Sequence, residues 1–207
     1  MRNTQYRVYR EDDIFLYCGE PAFSVLDFWR FSYSQLLGQS ETIAEFLVCQ
    51  SLGIEKAENV NYWTAYDLSY KGKRIEVKAT SYIHPWNRRV SNTRTFSIAP
   101  SNNAYWSELP GQRESPRLAR QSEIYVFCLN TERNTKNPQP LNIDNWEFYV
   151  VPTYRINAYC ERNGNPNQKT INLTVIKRIV GQATKFGELK ETIEEAITWS
   201  DQHYLNS

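Results

Sequence analysis

The sequence predicts a mixed α/β fold, in which a central mixed β-sheet is flanked by helices within a single domain. Helix-type and strand-type patterns follow in the order helix, three strands, loop, two buried strands and a last helix, unlike a regular βαβ array. Hydrophobic residues make up 41% of the 207 positions and charged residues 23%, as in ordinary globular proteins. We therefore expect one domain over residues 1–207, with 1–38 as an N-terminal extension and 40–199 as the core.

Two segments carry the clearest helix signals. Ser40 offers an N-cap for the segment ETIAEFLVCQSLG, and Gly53 at its end is a helix stop. Near the C-terminus, hydrophobic residues recur at helical spacing and predict an amphipathic helix that packs on a sheet: Phe186, Leu189, Ile193 and Ile197. The aromatic segment 23–38 is predicted to be helical in part, and residues 153–160 to form a short helix.

Strand signals occupy the middle of the chain. The segment NVNYWTAYDLSYKGKRIEVKAT is rich in Tyr, Ile and Val and is broken at Lys71-Gly72, which predicts two strands joined by a tight turn. Further strands are expected at 93–99, 123–129 and 146–152 and within 169–179, with loops at 100–121 and 130–145.

Composition excludes several classes of function. The net charge is only +1, so bulk charge cannot hold the chain to nucleic acid and any phosphate-binding surface must be local. No apolar run approaches the roughly 18 residues of a membrane helix, and the first residues lack a signal-peptide core, so we expect a cytoplasmic protein and no membrane partner. The four cysteines are widely spaced and only two histidines occur, which disfavours disulfides, zinc sites and His-dependent triads.

The register of the predicted hairpin places two acids together. With Lys71-Gly72 as the turn, Asp67 faces Glu76 directly, while Ile75 and Val77 lie on the opposite face. Opposed carboxylates repel, so water, a shared proton, the adjacent Lys78 or a divalent cation must offset the repulsion. Such a pair suits Mg²⁺, and Lys78 is placed to act on a water beside it. The alternative is a solvated edge hairpin in which all three side chains are simply exposed.

The predicted helix 40–53 adds a third acid. Glu45 shares a stripe with Val48 and Leu52 and is surrounded by apolar neighbours, so its carboxylate needs a partner. Glu41 lies one turn earlier, where the helix dipole favours negative charge without any further role. Glu45 is thus the better candidate for the site, although the sequence does not decide between them.

Together these residues resemble a known family. A helix with Glu45, then Asp67, eight residues and Glu76-Val77-Lys78 is similar to the PD-(D/E)xK nuclease core of many restriction endonucleases, although Ala65-Tyr66 replace the usual proline position. The wider sequence over about residues 25–195 resembles an uncharacterised bacterial branch of that superfamily. The resemblance implies a restriction-endonuclease-like core and Mg²⁺- or Mn²⁺-dependent phosphodiester hydrolysis. It assigns metal binding to Asp67, Glu76, the Val77 carbonyl and Glu45, and catalysis to Lys78 with these acids.

A local basic cluster suggests where nucleic acid binds. Residues 71–94 contain seven positive side chains and a single acid, Glu76. The predicted contacts are Lys73, Trp86, Arg88, Arg89 and Arg94, with Arg117 and Arg120 of the second loop as secondary contacts. A solvated basic loop, or pairing of the arginines with nearby glutamates, is the alternative.

The expected substrate is nucleic acid, with DNA favoured over RNA. A catalytically silent nucleic-acid- or protein-binding module on the same fold is the second hypothesis, and a glycosidase that uses the acid pair is a weaker third. The sequence leaves open the recognition site, single or double strand, and whether the chain acts as a homodimer.

Overall fold

The computed structural model describes residues 9–33, 40–54, 66–84, 87–90, 94–101 and 118–205, except for the side chains of residues 84 and 87–89. Within these ranges the helices are α1 (Val25–Ser32), α2 (Ser40–Leu52), α3 (Thr153–Arg162), α4 (Leu173–Val180) and α5 (Leu189–Leu205). The strands are β1 (Ile14–Tyr17), β2 (Glu20–Ser24), β3 (Leu68–Tyr70), β4 (Lys73–Ser81), β5 (Ile83–His84), β6 (Asn87–Val90), β7 (Thr95–Ser97), β8 (Ile124–Asn130), β9 (Trp146–Pro152) and β10 (Thr170–Asn172).

A four-stranded sheet in the order β3-β4-β8-β9 forms the centre of the molecule. The β3–β4 and β8–β9 pairs are antiparallel, whereas β4 and β8 run parallel with Ile75 opposite Ile124. The strands β8 and β9 are buried almost throughout, as their continuous apolar sequences predict. The prediction of a central mixed sheet is confirmed.

Helices cover both faces of this sheet. On one face, α2 and α5 pack against Ile75, Val77, Val126 and Phe148. On the other, α3 and α4 pack against aromatic residues of β8 and β9 that include Tyr125, Phe127 and Tyr149. Since side chains alternate along a strand, Glu76 and Lys78 lie on the α3–α4 face, with Tyr125 beside Glu76 on the neighbouring strand.

The predicted helices at 40–53 and near the C-terminus are confirmed. Helix α2 ends before Gly53, whose φ of +68° is a conformation that suits glycine at a helix end. In α5 the predicted positions Leu189, Ile193 and Ile197 are all buried. Among the described residues, no helix has the length and apolarity needed to cross a membrane.

Two local predictions were incomplete. The single strand expected within 169–179 is instead the short β10 followed by α4, because the Asn172 side chain accepts a hydrogen bond from the Val175 N–H (3.0 Å) and caps a helix there. An N-terminal hairpin, β1–β2, precedes α1 and turns at Cys18 and Gly19, both with positive φ. Residues 34–39, 55–65 and 102–117, to which parts of the predicted helix, first strand and loop belong, lie outside the described ranges.

Candidate active site

Asp67 lies immediately before β3, at the open edge of β4. The predicted register is confirmed for Leu68 with Ile75 and through to the turn, but the paired strand begins at Leu68, so Asp67 is not a strand partner of Glu76. Its N–H donates to the Ile75 carbonyl (3.1 Å), and its carboxylate accepts the Val77 N–H (2.7 Å). The side chain therefore takes the place of a missing backbone acceptor along β4.

Glu76 and Lys78 form an ion pair on the adjacent face of β4. Their side chains are 16% and 30% exposed, so the pair is only partly open to solvent. The Ser122 hydroxyl, which precedes β8, also donates to the Glu76 carboxylate at 3.4 Å. The structure thus brings Asp67, Glu76 and Lys78 into one half-buried group, unlike the solvated hairpin that was the alternative.

Burial and mutual charge interactions shift the pKa values of Asp67 and Lys78. Burial and the nearby Glu76 charge raise the pKa of Asp67 from 3.8 to about 6, although Lys78 and the Val77 hydrogen bond oppose the shift. Burial disfavours the Lys78 ammonium, but the Glu76 and Asp67 carboxylates outweigh it, and the pKa of Lys78 is raised. Lys78 is therefore a stable positive charge at neutral pH rather than a proton acceptor.

The two glutamates of α2 contribute at longer range. The Glu45 charge raises the pKa of Asp67 and of the buried Cys128 thiol, while the Glu41 charge raises that of Lys78. Glu45 is half-buried and Glu41 is exposed. Both acids thus act on the site electrostatically, Glu45 through Asp67 and Glu41 through Lys78.

The oxygen atoms at this edge fit a hard divalent cation. The Val77 carbonyl points to the same edge as its N–H, beside the Asp67 carboxylate, because both groups of a strand residue face one side. Two carboxylates and a carbonyl suit Mg²⁺ or Mn²⁺, since Mg²⁺ keeps several waters and needs only one or two protein carboxylates. Among the described residues no cluster of three or more potential His, Cys, Asp or Glu ligands occurs, and the role of Glu45 as a ligand stays a prediction.

Two neighbours of Glu76 were not singled out from the sequence. Ser122 donates to its carboxylate, and Tyr125 lies beside it in the parallel register. Burial and the charges of Glu76 and Asp67 raise the pKa of Tyr125, which keeps its phenol protonated. The segment 123–129 was correctly predicted as a strand, but the direction in which it pairs with β4 was not visible in the sequence.

The basic residues of the hairpin have acidic partners within the chain. Lys71 pairs with Glu194 (2.9 Å), Lys73 with Asp201, and Arg74 with Glu123, which also accepts the Arg74 backbone N–H (2.8 Å). The acids belong to α5 and to the residue before β8, all distant in sequence. Lys73 thus already has an acidic partner on α5, and its contact with nucleic acid stays a prediction.

Arg94 is an interior residue. It is only 4% exposed, and its guanidinium carbon lies 4.0 Å from the centre of the Tyr82 ring, to which Arg133 also approaches at 3.8 Å. Burial lowers the pKa of Arg94. Little of Arg94 is therefore open to a ligand at the surface, and its phosphate contact stays a prediction.

Arg120 ties three segments together. Its guanidinium donates to the Ile98 carbonyl (2.9 Å), the Asn157 side chain (2.8 Å) and the Gln168 carbonyl (2.8 Å). This half-buried side chain therefore cross-links the residue after β7, helix α3 and the loop before β10 through hydrogen bonds. The nucleic-acid contact of Arg120 stays a prediction.

Replacement of Arg120 by alanine is expected to lower the free energy of unfolding by about 2 kcal/mol, because several partly buried carbonyl acceptors lose a charged donor. Urea denaturation at pH 7 measures the change. Arg162→Ala on the exposed side of α3 is the matched control and should change stability by less than about 0.5 kcal/mol. Equal stability of the two variants would contradict a stabilising role for the Arg120 hydrogen bonds.

The remaining predicted contacts cannot be placed. Trp86 and Arg117 lie outside the described residues, as do the side chains of Arg88 and Arg89, whose backbone belongs to β6. No protein-family model, curated protein or solved structure matches the chain. The likeness of Asp67, Glu76 and Lys78 to the PD-(D/E)xK motif therefore stays a prediction from the sequence.

Proposed function

We propose that the protein hydrolyses phosphodiester bonds of nucleic acid with the help of a divalent cation. The observation that carries this proposal is the half-buried Asp67–Glu76 pair: burial, together with the Glu76 charge, raises the pKa of Asp67 to about 6, while the Lys78 ammonium remains beside the pair. Burying two acids around one lysine costs stability, so this arrangement favours a functional role over a purely structural one. The arrangement of α2, the β3–β4 hairpin and β8 further supports a restriction-endonuclease-like core as part of the proposal.

Each residue has a role that follows from its position. Asp67, Glu76 and the Val77 carbonyl would hold Mg²⁺ or Mn²⁺, which when bound activates water and offsets phosphate charge. The Val77 N–H orients the Asp67 carboxylate, and Ser122 orients that of Glu76. Lys78, which remains charged, stabilises negative charge that develops on the phosphate and positions the attacking water.

A catalytically silent binding module is the second candidate. The observation in its favour is that Lys71, Lys73 and Arg74 are neutralised within the chain, while Arg94 is buried. The basic cluster beside the acid pair is thus less available to phosphates than its sequence suggests. The acid pair and the raised pKa of Asp67 favour the enzyme.

The test is cation-dependent cleavage by the wild-type chain. We expect labelled DNA, and to a lesser extent RNA, to be cut in Mg²⁺ or Mn²⁺ and to stay intact in EDTA. Calorimetric titration with Mn²⁺ should show binding that disappears in Asp67→Asn. Absence of both cation binding and cleavage would favour the silent module over the nuclease.

A further inference from the structure

A groove between α3 and α4 lies on the same side of the sheet as Glu76 and Lys78. It holds about 400 Å³ and continues at the N-terminal end of α3 into a second depression of about 330 Å³ beside α5. Tyr154 and Arg155 line both parts. The two depressions therefore form one surface, which we call the α3–α4 groove.

The α3–α4 groove is basic, although the chain as a whole is nearly neutral. Residues 153–180 contain five Lys or Arg side chains and a single acid, Glu161. Arg155, Arg162 and Arg178 line the groove, and among the described residues none of these three forms an ion pair with a carboxylate. This distinguishes them from the neutralised cations of the hairpin and favours a polyanionic ligand.

Aromatic rings lie at the end of the groove next to α5. His203 stacks on Tyr154 with ring centres 4.1 Å apart, and Trp199 is 42% exposed with the Arg155 guanidinium 5.2 Å from its ring centre. Partly exposed rings between cationic side chains are the elements that bind unpaired bases by stacking. A duplex keeps its base faces covered and cannot use them.

The groove is joined to the acid pair by a short chain of hydrogen bonds. Thr153, which begins α3, donates from its hydroxyl to the Ser122 carbonyl (2.6 Å), and the Ser122 hydroxyl donates to Glu76 (3.4 Å). Tyr154 is the next residue. The N-terminal end of α3, where Tyr154 lines the groove, is thus linked to Glu76 through two residues.

We infer that the α3–α4 groove binds single-stranded nucleic acid, with Arg155, Arg162 and Arg178 on the phosphates and Tyr154, Trp199 and His203 on the bases. The inference names the substrate-binding surface of the proposed nuclease and in that sense rests on the proposed function.

Binding is measured by fluorescence anisotropy with a labelled single strand of about 20 nucleotides, in EDTA so that no cleavage occurs. We expect Arg162→Gln/Arg178→Gln to raise Kd by about tenfold and to reduce the dependence of log Kd on log salt concentration. Lys136→Gln/Lys190→Gln removes the same charge from exposed sites elsewhere and should change Kd by less than about twofold. Thermal unfolding of both variants verifies their folding.

Equal weakening in both double variants, or no binding at low salt, would overturn the inference. If duplex binds more tightly than the single strand, the single strand is rejected as the ligand. If polyglutamate competes as well as unlabelled nucleic acid, nucleic acid is rejected as the specific ligand. The nuclease proposal fails separately. If binding depends on the arginines but no cleavage occurs, only the nuclease proposal is rejected. If Arg162→Gln/Arg178→Gln cleaves as fast as wild type, only the role of the groove in substrate binding is rejected.

Discussion

Replacing Lys78 by alanine is expected to lower cation-dependent cleavage about 100-fold or more while the chain stays folded. The structure holds the Lys78 ammonium against Glu76, and the surrounding carboxylates raise its pKa, so it supplies positive charge throughout the neutral range. Without it, charge that develops on the phosphate next to the acid pair loses a compensating positive group. Initial rates of cleavage with saturating Mg²⁺ measure the effect.

Lys73→Ala is the matched control, since Lys73 lies on the same strand and also forms an ion pair, but with Asp201 of α5. It should retain cleavage within a few-fold, and Lys78→Arg should recover part of the loss because the charge is kept. Cleavage by Lys78→Ala at the wild-type rate, with contaminating nuclease excluded, would remove Lys78 from the mechanism. A loss shared equally by Lys73→Ala would indicate damage to the strand instead.

Asp67→Asn is expected to raise the free energy of unfolding by about 2–3 kcal/mol at pH 7. The change of the pKa from 3.8 to about 6 corresponds to about 3 kcal/mol of unfavourable interaction with the ionised carboxylate. Asparagine keeps an oxygen for the Val77 N–H but carries no charge. The variant should therefore be more stable and, if the proposed cation site is correct, should no longer be stabilised by Mn²⁺.

The pH dependence follows from the direction of the shift. Because the folded-state pKa is the higher one, the folded chain takes up a proton between about pH 4 and 6 that the unfolded chain does not, so this contribution to stability falls as pH rises. The difference between Asp67→Asn and wild type should accordingly be largest above pH 6, decrease as the pH falls towards 4, and vanish only below the unfolded-state pKa of 3.8. Urea unfolding across this range measures it, with exposed Asp144→Asn as control. A variant less stable than wild type at pH 7 would show that the carboxylate is a net stabilising group.

Local signals accounted for much of the fold. The cap and stop of α2, the turn at Lys71-Gly72 and the apolar sequences of β8 and β9 depend on neighbouring residues, and each of these elements was predicted. The helix α4 was missed because its apolar segment is short and suits a strand equally well. Its identity depends on the Asn172 cap and on packing against β9.

The basic cluster shows the limit of counting charges along a sequence. Lys71, Lys73 and Arg74 appeared to lack acidic neighbours, yet Glu194, Asp201 and Glu123 reach them from α5 and from the residue before β8. Arg120 similarly finds its acceptors on three separate segments. Charge compensation over such sequence separations depends on the folded topology, which no local pattern reveals.

By itself, the sequence determined the turn and register that place Asp67 next to β4 and put Glu76 and Lys78 on one face, since alternation and turn length are local properties of the backbone. Only the tertiary structure decided what surrounds them: the parallel β8 that brings Tyr125 and Ser122 to Glu76, the burial that raises the pKa of Asp67, and the α3–α4 groove with its arginines. These features depend on which strand pairs with β4 and which helices cover it. They arise from packing between distant segments, whereas the acid pair arises from ten consecutive residues.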